Sequence, residues 1–214
     1  MTKGIFISFE GPDGAGKTSV MRQITADLQK QLGLDGVLYT REPGGNHIAE
    51  QIRGVLFDAR NIDMDPRTEA LLFAAARRQH LVADIMPALK SGKVILCDRY
   101  VDSSIAYQGA GRGLGEDNIW RINQFAIDGL MPELTIYLDI DSELGLKRIA
   151  QNRADQVNRL DEEALFFHRK VRSAYQKLAR QNPDRIVTID ASQPLTQVIS
   201  ATRLAIHQRF EQLF

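Results

Sequence analysis

The stretch Gly11-Pro-Asp-Gly-Ala-Gly-Lys-Thr18 constrains this chain more than any other, because it fits G-x-x-x-x-G-K-[ST] and follows directly on the apolar, β-branched and aromatic run Ile5-Phe6-Ile7-Ser8-Phe9. A helical pattern over 19–32 comes behind it. Strand, glycine-rich turn and helix in that order make a phosphate cradle: successive backbone N–H groups face an anion, and the helix presents its positive end to it. Lys17 then reaches the β- and γ-phosphates and Thr18 ligates Mg²⁺. At Gly11, Gly14 and Gly16 a side chain would be forced to positive φ or would block the phosphate, while Pro12, Asp13 and Ala15 complete the nucleotide-binding turn.

Elsewhere the periodicity alternates. Short apolar runs at 36–40, 93–97, 134–138 and 185–190 read as strands, and helical patterns occupy about 46–57, 66–89, 117–127, 142–151, 162–180 and 195–210. Strands alternating with helices predict an α/β fold, a five-stranded, doubly wound parallel sheet with helices on both faces. A length of 214 residues, 43% of them hydrophobic, suits one domain over 1–214, with no internal repeat or linker. Lys+Arg and Asp+Glu balance at 27 each, so no global positive field favours nucleic acid or an anionic membrane, and the partners expected are small molecules. No apolar run reaches the length of a membrane span and no secretory signal precedes the first strand, so a soluble cytoplasmic protein is expected. Cys97, the sole cysteine, ends an apolar run and reads as a buried, inert strand residue.

The residues at the strand ends carry the chemistry. Arg41-Glu-Pro-Gly-Gly45 is a loop at the carboxyl end of the second strand, the edge where open α/β sheets bind ligands. Arg53 lies on the helix after it. Phe73 and Arg77 share a helix face, an aromatic plane beside a planar donor fork that would suit a nucleobase; core packing for Phe73 and a solvated or ion-paired side chain for Arg77 is the alternative. The same helix sets Leu71, Leu72, Ala75, Leu81, Ile85 and Leu89 as its apolar positions. Asp98-Arg99-Tyr100 closes the third strand; Asp98 there is placed to hold the Mg²⁺ shell and Arg99 to bind a phosphate, although Asp139 ends another strand and spacing does not separate the two acids. Four glycines within 101–115 predict a mobile loop, and Ser142 is the expected cap of its helix. Lys147, Arg148, Arg153 and Arg159 form a basic segment that either is a solvated helix face or supplies arginines to a transferring phosphoryl group. The histidines, His47, His80, His168 and His207, are scattered and take no role.

The P-loop, Arg41-Glu-Pro-Gly-Gly45, Leu72-Phe-Ala-Ala-Ala-Arg77, Asp98-Arg-Tyr100 and Ala106-Tyr-Gln-Gly109, taken in this order, closely resemble the bacterial thymidylate kinases over nearly the whole chain. The resemblance implies a P-loop kinase fold with a mobile lid at about 147–160, Mg·ATP as donor, dTMP as acceptor in dTTP biosynthesis, and a homodimer. It further implies that Phe73 stacks on thymine and Arg77 donates to its carbonyl edge. Ser104 and Gln108 would read the remaining edge, and Tyr107 would sit under the sugar. Asp13 would accept from the 3′-hydroxyl, with Arg53 and Arg99 clamping the acceptor phosphate. With no arginine in the P-loop, the resemblance assigns the catalytic arginine to the lid, where Arg153 matches first and Arg159 second; Arg148 would stack on adenine. A kinase for another nucleotide or nucleoside is the rival within this class. A P-loop switch such as a GTPase lacks support, because no N-K-x-D guanine reader is found.

Overall fold

A computed structural model describes residues 4–152 and 163–213. The apolar runs form β1 (Ile5–Glu10), β2 (Val37–Arg41), β3 (Val94–Asp98), β4 (Leu134–Asp139) and β5 (Ile186–Asp190). All pair in parallel in the order β2-β3-β1-β4-β5, as expected from the alternation of elements. Register aligns the carboxyl ends, with Asp98 opposite both Phe9 and Arg41, so the polar last residues of three strands gather at one edge.

The side chains of β1 explain why both sheet faces are covered. Phe6 joins Ile95, Cys97 and Tyr137 in a core closed by α3 (Pro66–His80), α6 (Glu116–Ile127) and α8 (Leu165–Gln181), where Ala70, Ile119, Val171 and Tyr175 pack. Ile7 and Phe9 point the other way and join Leu96, Ile136 and Leu138 beneath α1 (Lys17–Leu32) and α9 (Leu195–Arg209). Strands buried on both faces in this way are characteristic of parallel sheets. The remaining helices are α2 (His47–Phe57), α4 (Met86–Lys90), α5 (Val101–Ser104) and α7 (Ser142–Asn152). A π-type turn at Leu81–Ile85 joins α3 to α4, so the single long helix expected over 66–89 is continuous but locally widened.

Three local expectations change. Most of the segment 101–115 is not a loop: α5 runs into a π-type helix at Ile105–Gly111, buried against α6 and α8, and only 112–115 is irregular. Two of its four glycines serve close packing, since a Cβ on Gly111 would stand 2.6 Å from the Phe167 ring and one on Gly109 3.1 Å from the Glu116 backbone. Composition alone does not distinguish such contacts from flexibility. At α7 the cap is Asp141, whose Oδ1 accepts from the Glu143 amide at 3.0 Å, while the buried Ser142 hydroxyl has no partner among the described residues. On α3, Leu71 and Ala75 face solvent; the buried face carries Glu69, Ala70, Ala74, Arg77 and His80, so polar residues with buried hydrogen-bond partners displaced the apolar pattern.

The polar residues on the α8 side of the sheet are paired. Ser8 and Thr135 share a 2.8 Å hydroxyl bond, and Arg185 grips Asp102 through two bonds of 2.6 and 2.9 Å while also donating to Thr135. Asp102 is 2% exposed. Arg185→Met would therefore leave a buried carboxylate uncompensated and cost about 3 kcal/mol by urea unfolding, whereas adding Asp102→Asn to that variant should recover part of the loss.

Candidate active site

The cradle forms as the motif requires. Gly11, Gly14 and Gly16 adopt φ of 138°, 79° and 85°. Gly14 is also a contact point: a Cβ there would lie 2.2 Å from the carbonyl oxygen of Gly145, and one on Gly145 would lie 2.8 Å from that of Asp13. Helix α7 thus rests directly on the loop 11–18. Lys17 is buried and donates to the Gly11 and Pro12 carbonyls at 3.0 and 3.2 Å; burial and the nearby Arg99 charge lower its pKa.

The chain reverses sharply after β3. Arg99 has φ of 71°, an uncommon conformation for a residue with a side chain, held by its own amide on Phe9 O and by the Cys97 thiol on its carbonyl. The guanidinium then enters the cradle. It donates to Asp13 Oδ1 at 2.7 Å, Gly11 O at 3.1 Å, Ser103 Oγ at 3.1 Å, and the hydroxyls of Tyr107 and Tyr175 at 3.2 and 3.3 Å. Tyr107 donates to the other Asp13 oxygen at 2.6 Å. Burial would raise the Asp13 pKa, but the Arg99 and Lys17 charges and these hydrogen bonds outweigh it and hold the carboxyl well below its usual range. Behind this cluster Glu10, completely buried, accepts from the Tyr100 amide, Ser103 and Tyr175; burial and the neighbouring Asp102 raise its pKa.

A cavity of about 670 Å³ opens in front of these groups. Of the residues expected at a site it is lined by Asp13, Lys17, Thr18, Arg53, Phe73, Arg77, Asp98, Arg99, Ser104, Tyr107 and Gln108. Phe73 is half-buried, edge-on to Phe57 with ring centroids 6.2 Å apart, and Arg53 lies over Phe57 while donating to Pro43 O at 2.9 Å. Arg77 is ion-paired, as one of the alternatives has it, and also lines the cavity. Its Nε donates to Glu42 at 2.6 Å, one terminal nitrogen to Ser104 Oγ and Asn123 Oδ1, the other to Tyr100 O at 3.0 Å. These bonds use four of its five N–H groups, and the fifth has no partner among the described residues.

The two strand-end acids differ in their surroundings. Asp139 is occupied by Arg172, Gln176 and the Tyr137 hydroxyl, whose hydrogen bonds overcome burial and lower its pKa. Asp98 lines the cavity with a buried Oδ1 that has no hydrogen-bond partner among the described residues. Arg148 lies away from the cavity lining, bonded to the carbonyls of Ala191 and Ser192 ahead of α9. Arg153 and Arg159 fall outside the described residues. The cavity also brings in Glu42 and, behind it, Asn123 and Glu69, none of them assigned from the sequence. Glu69 precedes Phe73 and Arg77 at spacings of four and eight on one helix face, a signal the sequence offered.

The sequence matches the thymidylate kinase family over residues 9–201. The chain belongs to the thymidylate kinase family. It is 72% identical over 211 residues to a thymidylate kinase of Limosilactobacillus reuteri, covering 99% of both chains, and 56% identical to one of a Geobacillus species, covering 98% of this chain and 99% of that protein. The crystal structure of thymidylate kinase from Ehrlichia chaffeensis superposes with a TM-score of 0.77 at 33% identity, covering 95% of this chain and 99% of that one. The resemblance read from the motifs and the expected fold both hold, and this thymidylate kinase family member is a kinase.

The Asp13–Arg99 pair has a definite pH signature. Because the folded-state pKa of Asp13 is lowered from 3.8, its stabilisation is complete above about pH 4 and is lost as pH falls toward the folded value. Asp13→Asn should cost about 2 kcal/mol at pH 7 by leaving Arg99 without its counter-charge. The gap to wild type should narrow by about 1 kcal/mol at pH 3 in urea unfolding.

Proposed function

We propose that this chain transfers the γ-phosphoryl group of ATP to dTMP, giving dTDP and ADP. The observation that carries the reading is one cavity lined both by P-loop residues, Asp13, Lys17 and Thr18, and by an aromatic and polar set suited to a base, Phe73, Arg77, Ser104 and Gln108. The backbone of Gly11 to Thr18 cradles the donor phosphates, and Lys17 meets their β- and γ-oxygens. Phe73 stacks on thymine, and the remaining N–H of Arg77 meets a ring carbonyl. Asp13 still has lone pairs beyond those taken by Arg99 and Tyr107, and accepts from the sugar 3′-hydroxyl. Arg53 and Arg99 hold the acceptor phosphate. Arg148 serves the adenine.

The acceptor's phosphate has a second pKa of about 6, so at neutral pH it attacks without a general base. Positioning and charge neutralisation carry the reaction, which is consistent with a site that uses no histidine as base. Mg²⁺ fits the residues present: Thr18 and the unpartnered Asp98 oxygen would hold it, and when bound it neutralises charge on the donor phosphates. A homodimer accords with the exposed Ile48, Val55, Leu71 and Phe125 on α2, α3 and α6, where α3 packs against both α2 and α6. Nucleotide substrates support a cytoplasmic location for this reading. No helix of the described residues is long and apolar enough to cross a membrane.

A coupled ADP-release assay with dTMP, dUMP, dCMP, dGMP and thymidine tests the reading. The greatest kcat/KM is expected for dTMP, and a higher value for any other acceptor would refute it. For the lid, Arg153→Ala should lower kcat by about a hundredfold or more with little change in KM for dTMP, because its contact forms mainly in the transition state. An unchanged kcat in single-turnover measurements would transfer the role to Arg159.

A further inference from the structure

Gln108 is 1% exposed and its amide has two unlike ends, only one of which can face a base in the cavity it lines. The neighbour that selects between them is Glu69. Its carboxylate is fully buried, and Oε1 accepts from Gln108 Nε2 at 2.9 Å. Arg112 pairs with the same carboxylate, through Nε to Oε1 at 3.2 Å and Nη2 to Oε2 at 3.3 Å. A carboxylate in this pair offers acceptors only, so the Gln108 nitrogen must turn toward it and Oε1 must turn away. The orientation follows from chemistry, independently of how the amide atoms are assigned.

We propose that Glu69 is a positioning residue that makes Gln108 an acceptor toward the base and thereby selects a pyrimidine bearing N3–H. The proposal rests on the dTMP reading and deepens it. Thymine and uracil present a carbonyl at C4 beside an N3–H donor; cytosine presents an amino group beside an N3 lone pair. Arg77, which can only donate, and Gln108, fixed as an acceptor, match the first pattern and oppose the second at both positions. Arg77 cannot reverse its polarity, but Gln108 can by a half-turn of its amide. Glu69 blocks that half-turn. Its place on α3, one and two helical turns before Phe73 and Arg77, puts this control on the same rigid face as the stacking ring and the donor.

Glu69→Gln keeps the shape while supplying either a donor or an acceptor to Gln108. In steady-state assays the kcat/KM ratio of dTMP to dCMP should fall about tenfold or more, the size expected for loss of one enforced hydrogen-bond polarity. The loss should lie in KM and affect dTMP and dUMP alike, since both carry N3–H. A folded variant with an unchanged ratio, or with equal losses on all three nucleotides, would overturn the role of Glu69. A wild-type enzyme that does not prefer dTMP would instead overturn the parent reading. Should the variant fail to fold, neutron diffraction of the wild-type dTMP complex reads the same point: the Gln108 amide deuterons are expected on Glu69 and the thymine N3 deuteron on Oε1, and the reverse arrangement would refute the proposal.

Discussion

Arg99 is a cation kept inside the protein, and its compensation ties together parts of the chain that are far apart in sequence. Asp13 from the phosphate loop, Ser103 and Tyr107 from the helical segment after β3, and Tyr175 from α8 all receive or balance its guanidinium. A buried ion pair of this type contributes little net stability against an apolar replacement, yet removing either partner is costly. The elements that meet at Arg99 are therefore held in one arrangement. The left-handed backbone at Arg99 is part of the same constraint, because an extended continuation of β3 would carry the side chain past the cradle.

Buried carboxylates hold the groups around the cavity, Glu10 and Glu69 from behind and Glu42 at its wall. Glu10 holds Tyr100 and Ser103, Glu42 holds Arg77 and hydrogen bonds with His80 at 3.2 Å, and Glu69 holds Gln108 and Arg112. None of the three is exposed beyond 4%. Glu42 and Glu69 thereby remove rotational freedom from the long side chains of Arg77 and Gln108 before any ligand arrives, so less ordering cost remains at binding. The arrangement also sets donor and acceptor polarity, which matters more for discrimination between bases than attraction alone.

Much of the site was legible residue by residue because its chemistry is local. Lys17 and Thr18 follow from the P-loop, Asp98 and Arg99 from their place at the end of a strand, and Phe73 and Arg77 from their helical spacing. Other features had no local signature. The glycines of 101–115 suggested a mobile loop, whereas Gly109 and Gly111 are small because Glu116 and Phe167 approach them. Asp98 and Asp139 end similar strands, and only the arrival of Arg172, Gln176 and Tyr137 from other positions distinguishes their surroundings. Leu71 read as core and is exposed, while Glu69 and Arg77 on the same helix are buried, because Glu42 after β2 and Arg112 after the π-type helix pair with their charges and Asn123 and Gln108 add hydrogen bonds.

By itself the sequence determined the alternation of strands and helices, hence a parallel sheet with two covered faces, and it determined a glycine-rich turn with positive φ at the end of β1. These depend on periodicity and on conformational limits of a few adjacent residues. Only the tertiary structure decided which polar side chains are buried and how each is turned: that Arg77 spends four N–H groups on Glu42, Ser104, Asn123 and Tyr100, that Asp98 has an oxygen without a partner among the described residues, and that Gln108 turns its nitrogen to Glu69. Those outcomes are set by hydrogen-bond partners tens of residues away, and a buried polar group takes the orientation its partners allow.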